Sequence, residues 1–197
     1  MADETIHPNT VVLKDARALR AYAHPLRLRL VGMLRRDGPT TATKAGEALG
    51  ESAASCSFHL RQLAKWGLVE EAGGGRGRER PWKATAQFTS WSSVDSDADV
   101  TAASDLLSSV LVDGYLEQIN RWIEIRSGEP VEWQDAAAFG DAMLYLTADE
   151  LAEVKRTLWD IGRRYVDRIE DPSQRPDGAR RVTMLNLAFP TPPDEPP

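Results

Sequence analysis

The chain has 197 residues, 42% of them hydrophobic and 27% charged, with a single cysteine, Cys56. This is the composition of an ordinary globular protein. It has no apolar run near the ~20 residues of a membrane span, and one thiol excludes an intrachain disulfide framework or a multi-thiolate zinc site. The net charge of −6 is unevenly spread: residues 1–91 hold 14 Lys/Arg against 9 Asp/Glu, and residues 92–197 hold 10 against 21, an asymmetry expected where one half meets a polyanion.

Residues 1–10 read as a flexible start, and the polar, acidic stretch Met1–Asn9 predicts no secretory signal, hence a cytoplasmic protein. A helix is predicted over Val11–Ala23, with Val12, Ala16, Leu19 and Ala23 on one face. His24-Pro25 breaks it, and Pro25 is suited to open the next helix, where its missing N–H costs nothing. Leu26, Leu30, Val31 and Leu34 recur at helical spacing, until Asp37-Gly38-Pro39 stops the helix. Thr41 is a fitting N-cap for a two-turn helix over Ala42–Leu49. Gly50 is a C-terminal stop, and Ser52 caps a helix over Ala53–Lys65 that ends at Gly67. Two helices joined by the three-residue turn Gly50-Glu51-Ser52 form a helix-turn-helix signature.

Leu68–Glu71 reads as a short strand, Gly73–Arg80 as a basic glycine-rich loop and Pro81–Thr89 as a returning strand. Together they make a wing, and residues 11–90 a winged helix-turn-helix domain. Residues 91–99, rich in Ser and Asp, read as a linker. A long amphipathic helix is predicted over residues 100–127, with Leu107, Leu111, Tyr115, Ile119 and Trp122 on its apolar face; Gly128 and Pro130 end it. Residues 142–146 and 181–189 read as strands. Thr147–Glu150 is a capping box for a helix running to about Ile169, with Leu151, Val154, Leu158, Ile161 and Tyr165 on its buried face. Residues 100–190 thus form a second domain, and the proline-rich stretch 191–197 a disordered tail. The expected fold is mainly α with small β elements: an N-terminal winged helix-turn-helix and a C-terminal α+β domain with a long dimerisation helix.

Around the helix at 53–65, Cys56, Leu60 and Leu63 share one side and mark the core face. Ala54, Phe58, Arg61 and Lys65 lie opposite, with Ser55, Ser57 and Gln62 on the flanks. That outer face carries what a DNA major groove demands. Ser52, at the helix start, can hold a phosphate. Ala54 and Phe58 suit apolar contact with thymine, and Arg61 a guanine edge or a phosphate. His59 is a phosphate contact or a structural residue rather than a metal ligand. Arg76, Arg78 and Arg80, alternating on the glycine-rich loop, suit the DNA backbone or a narrow minor groove. The bland alternative for each of these is a solvated helix face and a solvated loop. A rival function is a winged-helix adaptor that binds protein and not DNA.

Cys56 on the core face is an inert thiol rather than a redox switch. Neither the three histidines, His7, His24 and His59, nor any other spacing asks for a metal or cofactor. No nucleophile–base pair or phosphate loop points to an enzyme. The long helix predicts a homodimer, as palindromic DNA sites demand. Trp122, Trp133, Trp159, Tyr115, Tyr145 and Tyr165 in the second half either line the pocket of a small-molecule effector or pack a core, and their helical spacing favours the core.

Ala23-His24-Pro25-Leu26-Arg27-Leu28-Arg29-Leu30, Leu49-Gly50-Glu51-Ser52, Ser57-Phe58-His59-Leu60-Arg61-Gln62-Leu63 and Gly67-Leu68-Val69-Glu70 resemble the ArsR-like regulators, as does the wing from Arg78 to Trp82. The resemblance covers roughly residues 12–90 and implies a dimeric winged-helix repressor or activator. Tyr145-Leu146-Thr147 and the run ending Phe189-Pro190 are similar to a C-terminal extension found in one subgroup. Metal-sensing members carry a cysteine pair in the helix before the recognition helix. Ala42–Leu49 has no thiol, so the resemblance does not extend to sensing arsenic, cadmium or lead.

Overall fold

The computed structural model describes residues 9–74 and 80–191. The described chain is mainly helical with two small sheets, and it divides into two compact units, residues 1–137 and 138–197.

The first unit opens with strand β1 (Thr10–Leu13), helix α1 (Ala16–Tyr22) and helix α2 (Pro25–Asp37). The single helix expected over Val11–Ala23 is therefore a strand followed by a shorter helix. The reason is non-local: the β-branched run Thr10-Val11-Val12 pairs in parallel with β5 (Phe88–Trp91). Asp15 restarts the chain as a helix by accepting the N–H groups of Arg17 and Ala18 at 2.7 and 3.1 Å. α2 begins at Pro25, as its chemistry predicts, and His24 is its N-cap.

Strand β2 (Thr40–Thr41) leads into helix α3 (Ala42–Leu49) and helix α4 (Ala53–Lys65). Strand β3 (Val69–Glu71) then pairs antiparallel with β4 (Pro81–Ala84), giving the sheet order β2-β4-β3. The strand expected over Pro81–Thr89 is two strands in two sheets. β4 ends where Thr85 turns back on Gly67 and Leu68, its hydroxyl donating to Gly67 O at 2.5 Å and its N–H to Leu68 O at 3.2 Å. Asn9 Oδ1 then accepts the Gln87 N–H, steering the chain into β5 beside β1.

Residues 91–99, expected as a linker, hold the last residue of β5, a loop, the cap and the first two residues of helix α5 (Ala98–Ile125). The Asp97 carboxylate caps α5, and the buried Ser104 hydroxyl donates to Ser92 O at 2.9 Å. Ala103 and Leu107 of α5 are fully buried in the same core as Leu19, Leu30, Leu60, Leu63, Leu68 and Trp82, so the start of α5 is built into the helix-turn-helix unit. Each fully buried leucine contributes about 1.5–3 kcal/mol by leaving water. Further along, α5 leaves Val112, Leu116 and Ile123 exposed. A short helix α6 (Val131–Ala136), unforeseen in the sequence, starts after Pro130.

Arg35 of α2 is a half-buried cation without a carboxylate partner among the described ion pairs. Its guanidinium donates to Ala86 O at 2.8 Å and to Thr89 Oγ1 at 2.7 Å, and burial lowers its pKa. It fixes the link between β4 and β5 to the back of α2.

In the second unit, helix α7 (Ala148–Arg163) carries the predicted capping box: Thr147 Oγ1 accepts the Glu150 N–H, and Glu150 accepts the Thr147 N–H at 2.7 Å. The helix stops at Arg163, and a separate turn, α8 (Asp167–Glu170), follows. Residues 142–146 and 181–189, expected as strands, have no regular secondary structure, so the described part of this region is helical and not α+β. The expected buried face of α7 is only part-covered at Leu151, Val154 and Leu158 and open at Ile161 and Tyr165. The aromatic residues expected to pack a core divide. Tyr115, Trp122 and Trp133 are half-buried, whereas Tyr145, Trp159 and Tyr165 are exposed.

Candidate nucleic-acid interface

The turn between α3 and α4 is set by backbone chemistry. Gly50 adopts the left-handed conformation, φ 69°, that other residues take only under strain. The Glu51 N–H then donates back to Gly46 O at 2.9 Å. This folds the turn onto Gly46, where a Cβ would lie 2.6 Å from Glu51 O, so only glycine fits. Arg29 of α2 braces the turn from outside, donating to Leu49 O at 2.7 Å and standing 3.8 Å from Glu51.

Ser52 starts α4 in extended geometry, and its Oγ accepts the Ser55 N–H at 3.0 Å. The hydroxyl is thus used as a cap, and what Ser52 offers to an anion is the helix start it organises. Cys56, Leu60 and Leu63 are fully buried. Ala54, Phe58, Arg61 and Lys65 are exposed, Phe58 at 52%; Ser55, Ser57, His59 and Gln62 are half-buried on the flanks. The division of faces follows from helical periodicity about the three core anchors.

Arg61 lies along its own helix, its Nε donating to Ser57 O at 3.2 Å, and no carboxylate pairs with Arg61 or Lys65 among the described residues. Neither cation is neutralised by a described ion pair. Arg80, by contrast, pairs with Glu71 at 3.1 Å at the base of the β3–β4 loop. Arg76 and Arg78 lie outside the described residues. Cys56 is sealed in the core, and burial, helped by Glu51, pushes its thiol pKa up, away from the reactive thiolate.

His59 is half-buried on the flank of α4. Its ring packs at a tilt against His24, the cap of α2, with centroids 4.4 Å apart, and meets Phe58 edge-on at 5.2 Å. His24 Nδ1 accepts the Leu26 N–H at 3.2 Å. Arg27 stands beside the pair. Arg27 Nε and His59 Nδ1 are both buried without a hydrogen-bond partner among the described residues. Burial, with the positive charge of Arg27, lowers the pKa of both imidazoles. Sequence pattern alone does not reveal this seat, because it joins residues 35 positions apart. The one local signal is His24-Pro25, a histidine in the capping position of a helix opened by proline.

No group of His, Cys, Asp and Glu that could hold a metal occurs among the described residues, and none of their helices is long and apolar enough to cross a membrane. No curated protein matches the chain. Residues 22–72, from the last residue of α1 to just past β3, match the family model described as a helix-turn-helix domain, the same span in which α3, the glycine turn and α4 are found.

Proposed function

We propose that the protein is a sequence-specific, DNA-binding transcriptional regulator of the ArsR-like type, in which α4 enters the major groove. The observation that carries this reading is the outward face of α4. Ala54, Phe58, Arg61 and Lys65 are exposed together, on a helix anchored by three fully buried residues and held at a fixed angle by the Gly46 turn. Arg61 reads a guanine edge, Phe58 and Ala54 meet thymine methyls, Gln62, Ser55 and Ser57 bond along the groove, and Lys65 binds phosphate. The helix start organised by Ser52 faces the backbone. The β3–β4 hairpin is the wing, with Arg76, Arg78 and Arg80 on the backbone or in the minor groove. His59 serves by seating α4 rather than by touching DNA.

The protein acts as a homodimer through α5. Val112, Leu116, Ile119 and Ile123 recur at steps of four, three and four, the spacing of a helix–helix seam, and Val112, Leu116 and Ile123 are exposed. It works in the cytoplasm, and the second unit is where a small-molecule effector would act.

Binding to random duplex DNA at two salt concentrations tests the reading. The affinity is expected to fall about tenfold or more between 50 and 200 mM salt, as phosphate contacts release counterions. Arg76→Ala and Arg78→Ala should weaken all sequences alike, whereas Arg61→Ala should flatten the preference among sequences. Salt-insensitive or absent retention at both concentrations would instead favour the protein-binding adaptor.

A further inference from the structure

We propose that the His24–His59 pair is an acid-sensitive latch: neutral, it seats α4 on the start of α2; protonated, it releases it. The inference deepens the DNA-binding reading, since α4 is the helix that reading places in the groove, but the latch itself is a property of the free protein.

His24 holds the start of α2 by accepting the Leu26 N–H at Nδ1. A nitrogen that accepts carries no proton, so the capping imidazole is neutral, with its proton on Nε2. Adding a proton at Nδ1 removes the acceptor and turns a cap into a cation at the positive end of a helix. The charge would also face His59, whose ring lies 4.4 Å away, and Arg27, whose Nε is already buried without a partner among the described residues. His59 has no better refuge for a proton: its Nδ1 is buried with nothing described to receive an N–H.

The charged and titratable groups acting on the pair are Arg27 of α2, the two imidazoles themselves, and Glu51 of the α3–α4 turn. A backbone hydrogen bond of His24 itself and Glu51 favour the protonated forms, but Glu51 is also held by Arg29. Among the described residues, α1, α3, α5, β3 and β4, the other elements packed against α2 or α4, add no charged group to this set. Burial and Arg27 therefore prevail, and both imidazoles titrate below the ordinary value of about 6.5. The unfolded chain takes up protons first as pH falls. The stability held by the neutral pair is present in full above about pH 6.5 and is lost as pH falls from there through the lower folded values. Carboxylates titrate lower still, so histidine is the side chain that titrates in the window from about pH 7.5 to 5.5.

The test follows the full-length chain in a His7→Gln background, which leaves only these two histidines. The urea midpoint should drop between pH 7.5 and 5.5, and His24→Asn, which keeps a good N-cap but cannot titrate, should shrink that drop to the part that burial of His59 alone leaves. An equal drop in the variant would overturn the latch. Should that variant not fold, proton NMR on the His7→Gln chain decides. Both imidazoles should titrate below pH 6.5, and the Leu26 amide should lose its hydrogen-bonded shift in step; titration at or above 6.5, or an unmoved Leu26 amide, contradicts the latch.

A duplex selected at pH 7.5 from random sequences separates the two readings. No binding at pH 7.5 sinks the DNA reading and leaves the stability and NMR results to judge the latch. Binding weakened about tenfold at pH 5.5, as when only about a tenth of the protein keeps α4 seated, and rescued by His24→Asn supports both. Binding that holds or tightens on acidification, as phosphate attraction alone would give, overturns the latch as a control on α4.

Discussion

Gly46→Val is expected to destabilise the protein by about 3 kcal/mol, the upper end of what overpacking usually costs, and to abolish DNA binding. Helix propensity alone predicts the opposite sign, because glycine is about 0.8–1 kcal/mol worse than alanine inside a helix and valine too is a better helix former. What reverses the sign is the turn. A Cβ at position 46 would lie 2.6 Å from Glu51 O, 3.2 Å from Ala53 N and 3.3 Å from Ser52 C. All three are backbone atoms, so no side chain can rotate away. The chain must open between α3 and α4, breaking the 2.9 Å bond from the Glu51 N–H to Gly46 O. Gly114→Ala, in mid-α5 where nothing lies within 4 Å of the added carbon, is the control and should stabilise by about 0.5–1 kcal/mol. Urea midpoints of the two variants, measured side by side, check both signs. A neutral or stabilising Gly46→Val would mean that the turn is not as close as described.

Leu63→Ala is expected to cost about 3 kcal/mol, within the range for deleting a fully buried leucine side chain. Leu63 is one of three residues anchoring α4, and its carbonyl accepts the Trp66 and Leu68 N–H groups as the chain leaves the helix. The loss would be a large part of the ~5–15 kcal/mol that holds a domain folded. Lys65→Ala, two residues on and exposed, should change the stability by less than about 0.5 kcal/mol while still weakening DNA binding. Thermal and urea unfolding together distinguish the core face from the outer face. Equal effects would mean that the faces of α4 are wrongly assigned.

The helix-turn-helix was legible because its signals are local. Thr41, Gly50 and Ser52 act within four residues of where they stand, and α3 and α4 begin and end where caps and glycine place them. Cys56, Leu60 and Leu63 fall on one side because a helix repeats every 3.6 residues, and that arithmetic needs no tertiary information. What escaped was non-local. Val11 and Val12 read as easily into a helix as into a strand, and only the arrival of Phe88–Trp91 beside them settles the choice. The His24–His59 seat and the burial of Arg35 likewise join residues that nothing in the sequence pairs.

Residues 142–146 and 181–189 mislead for a different reason. Apolar runs such as Met143-Leu144-Tyr145-Leu146 have strand propensity, but a strand needs a partner to bond with. The exposed state of these side chains agrees with their lack of regular structure. Within the candidate interface, the division of α4 into a core face and an outer face was legible. The role of Ser52 as cap was legible as well, whereas that of His59 as seat was not, since it depends on which ring lies opposite.

Photo-cross-linking from position 58 tests the central claim most directly. Benzoylphenylalanine placed there keeps the aromatic character of the exposed Phe58. Irradiated with a duplex selected for binding, the protein should form a covalent adduct to DNA, mapping to one or two adjacent bases within the selected site. A protein that retains the duplex yet gives adducts only to protein, or none, would show that the outer face of α4 does not lie in the groove.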